Sequence, residues 1–281
     1  MSIDNYTRLE CLGEGGFGTV WKVVRLSDQK LFAMKEVKLQ YHSLAGIRDA
    51  MEEAQILHNV QHPNLVAVED FWAAQNNGKV FIVMEYCAYG DLRNVLQLCK
   101  THRCSLQPSQ VWSIFAQVVC AVHWCHVEYG QQNGAILIHR DIKPENIFIT
   151  GTESIKLGDF GIKRIVDAGG AAKTFAGSPY YMAPELLRKQ PYSEKVDIWA
   201  LGLLLYELCT LETLFELPTQ FHLEQSICGD LAVNIPSIYG KEALDLIICL
   251  LQQQPCHRPS ITELRAHPRV AEVISNMRYG R

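Results

Sequence analysis

Short strand-like runs fill the first part of this chain, and longer apolar stretches of helical spacing fill most of the rest. Residues 6 to 38 read as strands joined by tight turns. Val20-Trp21-Lys22-Val23-Val24 is rich in β-branched residues, and Leu31-Phe32-Ala33-Met34-Lys35-Glu36-Val37 is the strand that follows it. From about 46 to 59 the period changes: Ile47, Met51, Ala54 and Leu57 share one face at helical spacing and predict a helix. Val80-Phe81-Ile82-Val83-Met84 is a continuous apolar run, a buried strand, and it gives way abruptly to Glu85-Tyr86-Cys87-Ala88-Tyr89-Gly90-Asp91-Leu92. Residues 108 to 127 predict an apolar helix, followed by a polar insert from Glu128 to Gly134. Residues 167 to 185 are rich in Gly and Ala, and a mostly apolar helix begins at Asp197.

This patterning sits in a chain of 281 residues, 48% hydrophobic and 20% charged. Those values permit a sizeable core and argue against disorder. A formal net charge of -4 implies no general polyanion-binding surface, so nucleic acid is not an expected partner. No apolar run approaches the ~20 residues that span a bilayer. The start, Met1-Ser2-Ile3-Asp4-Asn5-Tyr6, lacks the pattern of a signal peptide, and Ser2 stands where myristoylation requires glycine. A cytoplasmic location without a membrane partner is the expectation. The ten cysteines show no paired C-x-x-C spacing, and that setting favours free thiols. Cys120, His123, Cys125 and His126 have the residue types of a zinc site, but their apolar helical context favours packing.

The middle of the chain carries the chemistry. Ile138-His139-Arg140-Asp141-Ile142-Lys143-Pro144-Glu145-Asn146 leads into the short apolar run Ile147-Phe148-Ile149, and Lys156-Leu157-Gly158-Asp159-Phe160-Gly161 follows after a turn. Asp141, Lys143, Asn146 and Asp159 supply a carboxylate, an ammonium, a carboxamide and a second carboxylate. That set suits phosphoryl transfer from a metal-bound nucleotide. Asp141 accepts the proton of the attacking hydroxyl, Asn146 and Asp159 hold Mg²⁺, and Lys143 steadies phosphate charge. Upstream, Leu12-Gly13-Glu14-Gly15-Gly16-Phe17-Gly18-Thr19-Val20 contains G-x-G-x-x-G, a run that also opens dinucleotide-binding folds. There a helix would follow; here a strand does, so a hairpin whose backbone N–H groups approach phosphates is the better reading.

The H-R-D-x-K-x-x-N run, Asp159-Phe160-Gly161, Ala183-Pro184-Glu185 and the glycine run occur in the order found in protein kinases, and the chain resembles a eukaryotic serine/threonine protein kinase from about residue 6 to 270. The resemblance implies an α+β bilobal fold in a single domain over 1–281. Its N-lobe spans about 1–84, its hinge about 85–90 and its C-lobe about 91–270, with a short tail over 271–281. ATP and Mg²⁺ are the implied cofactors and protein Ser/Thr hydroxyls the implied substrates. Lys35 occupies the V-A-I-K position and holds the α- and β-phosphates, braced by Glu53, with Glu52 as the alternative. Leu12 to Val20 cover the nucleotide, and Ala33, Met84 and Phe148 line its base. Backbone groups at Glu85 and Cys87 meet the adenine edge, and Arg258 partners Glu185.

Finer features resemble the NIMA-related (NEK) kinases: Ile82 to Cys87, the insert before His139, Lys173-Thr174-Phe175, Ser178-Pro179-Tyr180-Tyr181-Met182 and Tyr192 to Trp199. Ala183, Ser178 and Glu145 depart from that pattern without removing a catalytic group. No heptads of the family's coiled coil occur in this sequence. Thr174 is the implied activating phosphosite, with Arg140 and Arg164 as its phosphate-binding bases. By resemblance alone, the nucleus and microtubule-organising structures join the cytoplasm as places of action. Two other readings remain open: a pseudokinase scaffold, and a small-molecule kinase of related fold.

Overall fold

The computed structural model describes residues 2–15, 18–38, 44–74, 79–134, 136–159, 179–215, 227 and 233–277; the side chains at 38, 44–46, 49, 50, 53 and 179 lie outside that description. The described chain divides into two compact units. One comprises the residues up to Ala88 together with Asp159; the other comprises Tyr89–Gly158 and the described residues from Pro179 onward.

The first unit is built on β1 (Tyr6–Gly15), β2 (Gly18–Arg25), β3 (Leu31–Lys38), β4 (Val68–Ala73) and β5 (Lys79–Glu85), with one α-helix among the described residues, α1 (Leu44–His58). The strands form one antiparallel sheet in the order β1-β2-β3-β5-β4. Alternation decides its two faces. Tyr6, Val23, Phe32, Met34, Trp72, Phe81 and Val83 form the core cluster of one side. There Trp72 stacks on Tyr6 at 5.9 Å and on Phe81 at 5.3 Å. Each fully buried side chain of this size contributes about 1.5–3 kcal/mol, so this cluster holds the sheet together. The pairing of Val20 with Lys35, of Lys35 with Ile82 and of Ala33 with Met84 places these residues on the other side. α1 packs on β4 and β5. Its predicted face holds: Ala54 and Leu57 are buried, and Ile47 and Met51 are partly so.

The second unit is mainly helical. Its helices are α2 (Leu92–Thr101), α3 (Pro108–His123), α4 (Tyr129–Asn133), α5 (Pro184–Leu187), α6 (Lys195–Thr210), α7 (Gly240–Leu250), α8 (Ile261–Arg265) and α9 (Pro268–Asn276), with the two-stranded ribbon β6 (Ile147–Ile149) and β7 (Ile155–Leu157). α6 is buried almost all round, and α3 and α7 pack against it. The helix expected to end at 127 does not end there. A π-helical turn over Trp124–Glu128 carries the backbone from α3 into α4, which uses the polar insert. It stops at Gly134, whose φ of 71° and N–H bond to the Gly130 carbonyl (2.8 Å) form a left-handed cap. The polar composition marked an exposed face rather than a break.

Arg258 and Glu185 are joined in the interior of this unit. Nη1 and Nη2 of Arg258 donate to the two carboxylate oxygens of Glu185 at 2.7 and 2.9 Å, and the two side chains are 0% and 4% exposed. The remaining guanidinium donors meet the carbonyls of Gln252, Lys195 and Gln253. The nine cysteines among the described residues are free thiols. No helix among the described residues is long and apolar enough to cross a membrane. Arg258→Met will leave Glu185 as a buried, unpaired carboxylate and is expected to cost about 3–5 kcal/mol of stability. Urea unfolding measures this; a loss below about 1 kcal/mol would show that the pair is dispensable.

Candidate active site

The loop from His139 to Asn146 owes its shape to a carboxylate from elsewhere in the chain. Asp197, in the first turn of α6 and fully buried, accepts the backbone N–H of His139 on Oδ2 and that of Arg140 on Oδ1, each at 2.8 Å. His126 of the π-helical turn bonds the same Oδ2 through Nε2 at 2.8 Å. Burial alone would raise the Asp197 pKa, but the His126 hydrogen bond, nearby histidine charge and the Arg140 N–H together hold it below the ordinary value. Gripped in this way, the backbone tolerates a left-handed turn at Arg140, with φ of 68°.

The next side chains follow from that turn. His139 is buried; its Nδ1 accepts the N–H of Asp141 (3.3 Å), so its Nε2–H donates to the carbonyl of Gly158 (3.1 Å). Asp141 is 9% exposed, and its Oδ2 lies 3.0 Å from Nζ of Lys143. Asn146 closes the group from the 3₁₀ turn Pro144–Asn146. Its Nδ2 donates to both the backbone carbonyl (2.7 Å) and Oδ2 (2.9 Å) of Asp141. Phe148 follows on β6, opposite Lys156 and bridged to Asp91. Asp141, Lys143 and Asn146 are thus one connected constellation in the second unit.

The first unit holds a second constellation. Lys35 of β3 forms an ion pair through Nζ with Oδ1 of Asp159, a residue in the left-handed region at φ 56°. The Glu53 side chain, expected to brace Lys35, lies outside the described residues. Glu52, the alternative, is exposed and lies 3.8 Å from Nε of Arg48. Gly16, Phe17, Arg164 and Thr174 also lie outside the described residues.

The glycine-rich hairpin separates two reasons for glycine. At Gly18 the fold itself demands it: φ is 138°, and a Cβ would stand 1.8 Å from the Glu36 carbonyl oxygen. At Gly13 and Gly15 a Cβ would meet nothing within 4 Å, so no packing explains those residues. A ligand approaching the backbone would. Leu12 and Glu14 are exposed, Thr19 is buried and Val20 is partly buried. Beyond β5, Glu85 donates its N–H to the Ala67 carbonyl at 2.9 Å, which commits that donor, and Cys87 is half-buried.

Sequence reasoning missed Asp197 and His126 as the anchors of the loop, although a carboxylate inside so apolar a helix was a readable signal. A buried charge requires partners. It also missed Glu207 in the same helix, together with Arg93 and Tyr181.

The sequence profile of the protein kinase domain matches residues 6–270. Serine/threonine-protein kinase Nek2 of Homo sapiens is 37% identical over 276 residues, which cover 97% of this chain and 61% of that protein. The chain belongs to the protein kinase family, in its NIMA-related branch. Two further relatives agree. Serine/threonine-protein kinase Nek3 of Mus musculus is 36% identical across 97% of this chain and 51% of its own length. G2-specific protein kinase fin1 of Schizosaccharomyces pombe is 33% identical across 98% and 40%. The chain therefore spans about three fifths or less of these relatives. The two units carry the α+β bilobal kinase fold, a sheet-based lobe and a helical lobe, and kinases of this family use ATP and typically Mg²⁺.

Because the Asp197 pKa is lowered by folding, its contribution to kinase stability is fully present above the unfolded-state value of 3.8 and is lost as the pH falls through the folded value. The stability difference between wild type and Asp197→Asn is therefore expected to be constant above that value and to shrink below it. Urea unfolding across the acid range reads this directly. A difference that stays constant to the lowest pH would mean that the charge of Asp197 carries no part of the anchor.

Proposed function

We propose that this chain is an active kinase domain over its whole length, transferring the γ-phosphoryl of Mg·ATP to serine or threonine hydroxyls of polypeptides. The observation that carries this reading is the buried Asp141 carboxylate held by Lys143 at 3.0 Å and Asn146 at 2.9 Å. In its roles, Asp141 accepts the proton of the attacking hydroxyl and orients it. Lys143 stands beside that oxygen and stabilises charge on the transferring group. Lys35 grips the α- and β-phosphates, and the open glycines at 13 and 15 admit phosphate to the backbone. Val20, Ala33, Met84, Glu85, Cys87 and Phe148 receive the adenine.

The donor chemistry fits magnesium. Asp159 offers a carboxylate, and Asn146, whose Nδ2 is committed to Asp141, has its carboxamide oxygen fixed as the atom for a hard cation. When bound, the metal supplies charge neutralisation on the β- and γ-phosphates. Lys143 marks the serine/threonine type. A site of action in the cytoplasm, the nucleus or microtubule-organising structures is proposed from family resemblance alone.

Thr174 is the proposed activating phosphosite. The Arg140 guanidinium lies over the Tyr192 ring at 4.9 Å, and its buried Nε has no hydrogen-bond partner among the described residues. A phosphate is the group that such a donor suits, with Arg164 as the second base.

Asp141→Asn and Lys35→Met are each expected to lower kcat by about 10²-fold or more while leaving the circular dichroism spectrum and Tm near wild type. Wild-type turnover by purified, folded Asp141→Asn would end this assignment. Phosphatase-treated wild type and Thr174→Ala are expected to start slow, and only wild type should accelerate on preincubation with ATP. Full rate from the first seconds in both would remove Thr174 from the mechanism.

A further inference from the structure

A second network of polar side chains adjoins the catalytic loop, and no role proposed so far uses it. Arg93, in the first turn of α2, donates from Nε to Oε1 of Glu145 at 2.9 Å. Its Nη1 pairs with Oε1 of Glu207, while Nη2 lies 3.5 Å from Oε2 of Glu207 and 3.2 Å from the Tyr181 hydroxyl. That hydroxyl donates to Oε2 of Glu207. Glu207 belongs to α6 and its side chain is 1% exposed. One guanidinium thus joins four segments: α2, the 3₁₀ turn of the catalytic loop, the stretch before α5, and α6.

Two details distinguish this from a surface ion pair. The first is that the carboxylate at its centre is buried. The second is that Glu145 has its other oxygen, Oε2, buried without a hydrogen-bond partner among the described residues. Among the described residues Arg93 is therefore the hydrogen-bond partner that holds that side chain, and Glu145 immediately precedes Asn146 in the turn. Asn146 in turn holds Asp141 through two hydrogen bonds.

We propose that Arg93 is a positioning residue for phosphoryl transfer: through Glu145 it fixes the Pro144–Asn146 turn, and through that turn the carboxylate of Asp141. Without the guanidinium, Glu145 and Glu207 lose the cation between them and repel. Glu207 is fixed in a buried helix, so the turn is the part that yields. A displacement of about 1 Å at Asp141 is enough to cost on the order of 10²-fold in rate. The rate measurements rest on the kinase reading above; the exchange measurement below does not.

The test uses the 281-residue chain with Arg93→Ala, Arg93→Lys, Glu145→Gln and the double variant Arg93→Ala/Glu145→Gln. Arg93→Ala is expected to lower kcat about 10- to 100-fold, with much smaller changes in KM for ATP and peptide. Low millimolar guanidinium chloride should restore part of that loss. Arg93→Lys should keep part of the rate, since one ammonium can still lie between two carboxylates without matching the fork. The double variant should be no slower than Arg93→Ala alone, because the two changes act through one contact. Hydrogen exchange adds a readout independent of turnover. The amides of Asn146 and Gly158, bonded to the carbonyls of Lys143 and Asn146, should exchange faster in Arg93→Ala while those of α3 stay unchanged. Wild-type kcat in folded Arg93→Ala, multiplicative losses in the double variant, or unchanged exchange at Asn146 and Gly158 would each overturn the proposal. If Arg93→Ala fails to fold, Arg93→Lys and Glu145→Gln carry the same exchange comparison. A wild type without turnover would instead count against the kinase reading, and exchange would still decide the role of Arg93.

Discussion

Asp197 is the constraint on which the catalytic loop depends. It is a charge placed inside an apolar helix, and such a charge is tolerable only when its lone pairs are filled. The fold fills them with two backbone N–H groups from His139 and Arg140 and with a histidine ring. The partners are forced as much as the acid is. Both N–H groups are committed to the one carboxylate, and the chain leaves that grip through the left-handed Arg140. The strain at Arg140 and the burial of Asp197 thus support one another. Everything downstream, from the ring of His139 to the carboxylate of Asp141, takes its direction from this point.

A different balance governs the first unit. Lys35 lies in the centre of a sheet, side by side with Val20 and Ile82 in the register, and its ammonium has to find an anion. In this structure the anion is Asp159. The same two groups are those proposed to grip phosphate and magnesium, so their mutual pairing neutralises an ammonium that phosphate would otherwise neutralise and a carboxylate that the metal ion would. The contact is partly exposed on the Asp159 side. Screening by water there weakens the pairing.

Features set by local pattern were legible in the sequence. The run Val80 to Met84 lies within β5, and the face of Ile47, Met51, Ala54 and Leu57 turns inward, because strand and helix periods follow from side-chain direction alone. The motif residues Asp141, Lys143 and Asn146 were legible for the same reason: they meet through one turn and its neighbours. The partners drawn from afar were not. His139 and Asp197 are 58 positions apart, and Arg93 and Glu207 are 114 apart; no periodicity links such pairs. The π-helical turn at Trp124 escaped for a subtler reason. It keeps the helical hydrogen bonding while adding a residue per turn, so composition registers only the polar face that follows.

The two acids of α6 acquire their meaning together. Asp197 and Glu207 stand about 15 Å apart along a straight helix, in an element buried nearly all round. Close-packed interiors deform little, so these two carboxylates act as fixed points on one rigid rod. The first holds the beginning of the catalytic loop directly, through the N–H groups of His139 and Arg140. The second reaches its end through Arg93 and Glu145, one residue before Asn146. A loop pinned at one end could pivot about that end, and Asp141, between the two, would sweep through positions that miss the hydroxyl it is proposed to orient. Pinned at both ends to the same helix, it has one geometry. Loops suit catalysis because their backbone is free of ladder pairing, and they serve it only when a rigid element removes that freedom again. Here the removal is electrostatic. Its weak point is the more exposed end, where a partly accessible arginine does what a buried backbone does at the other.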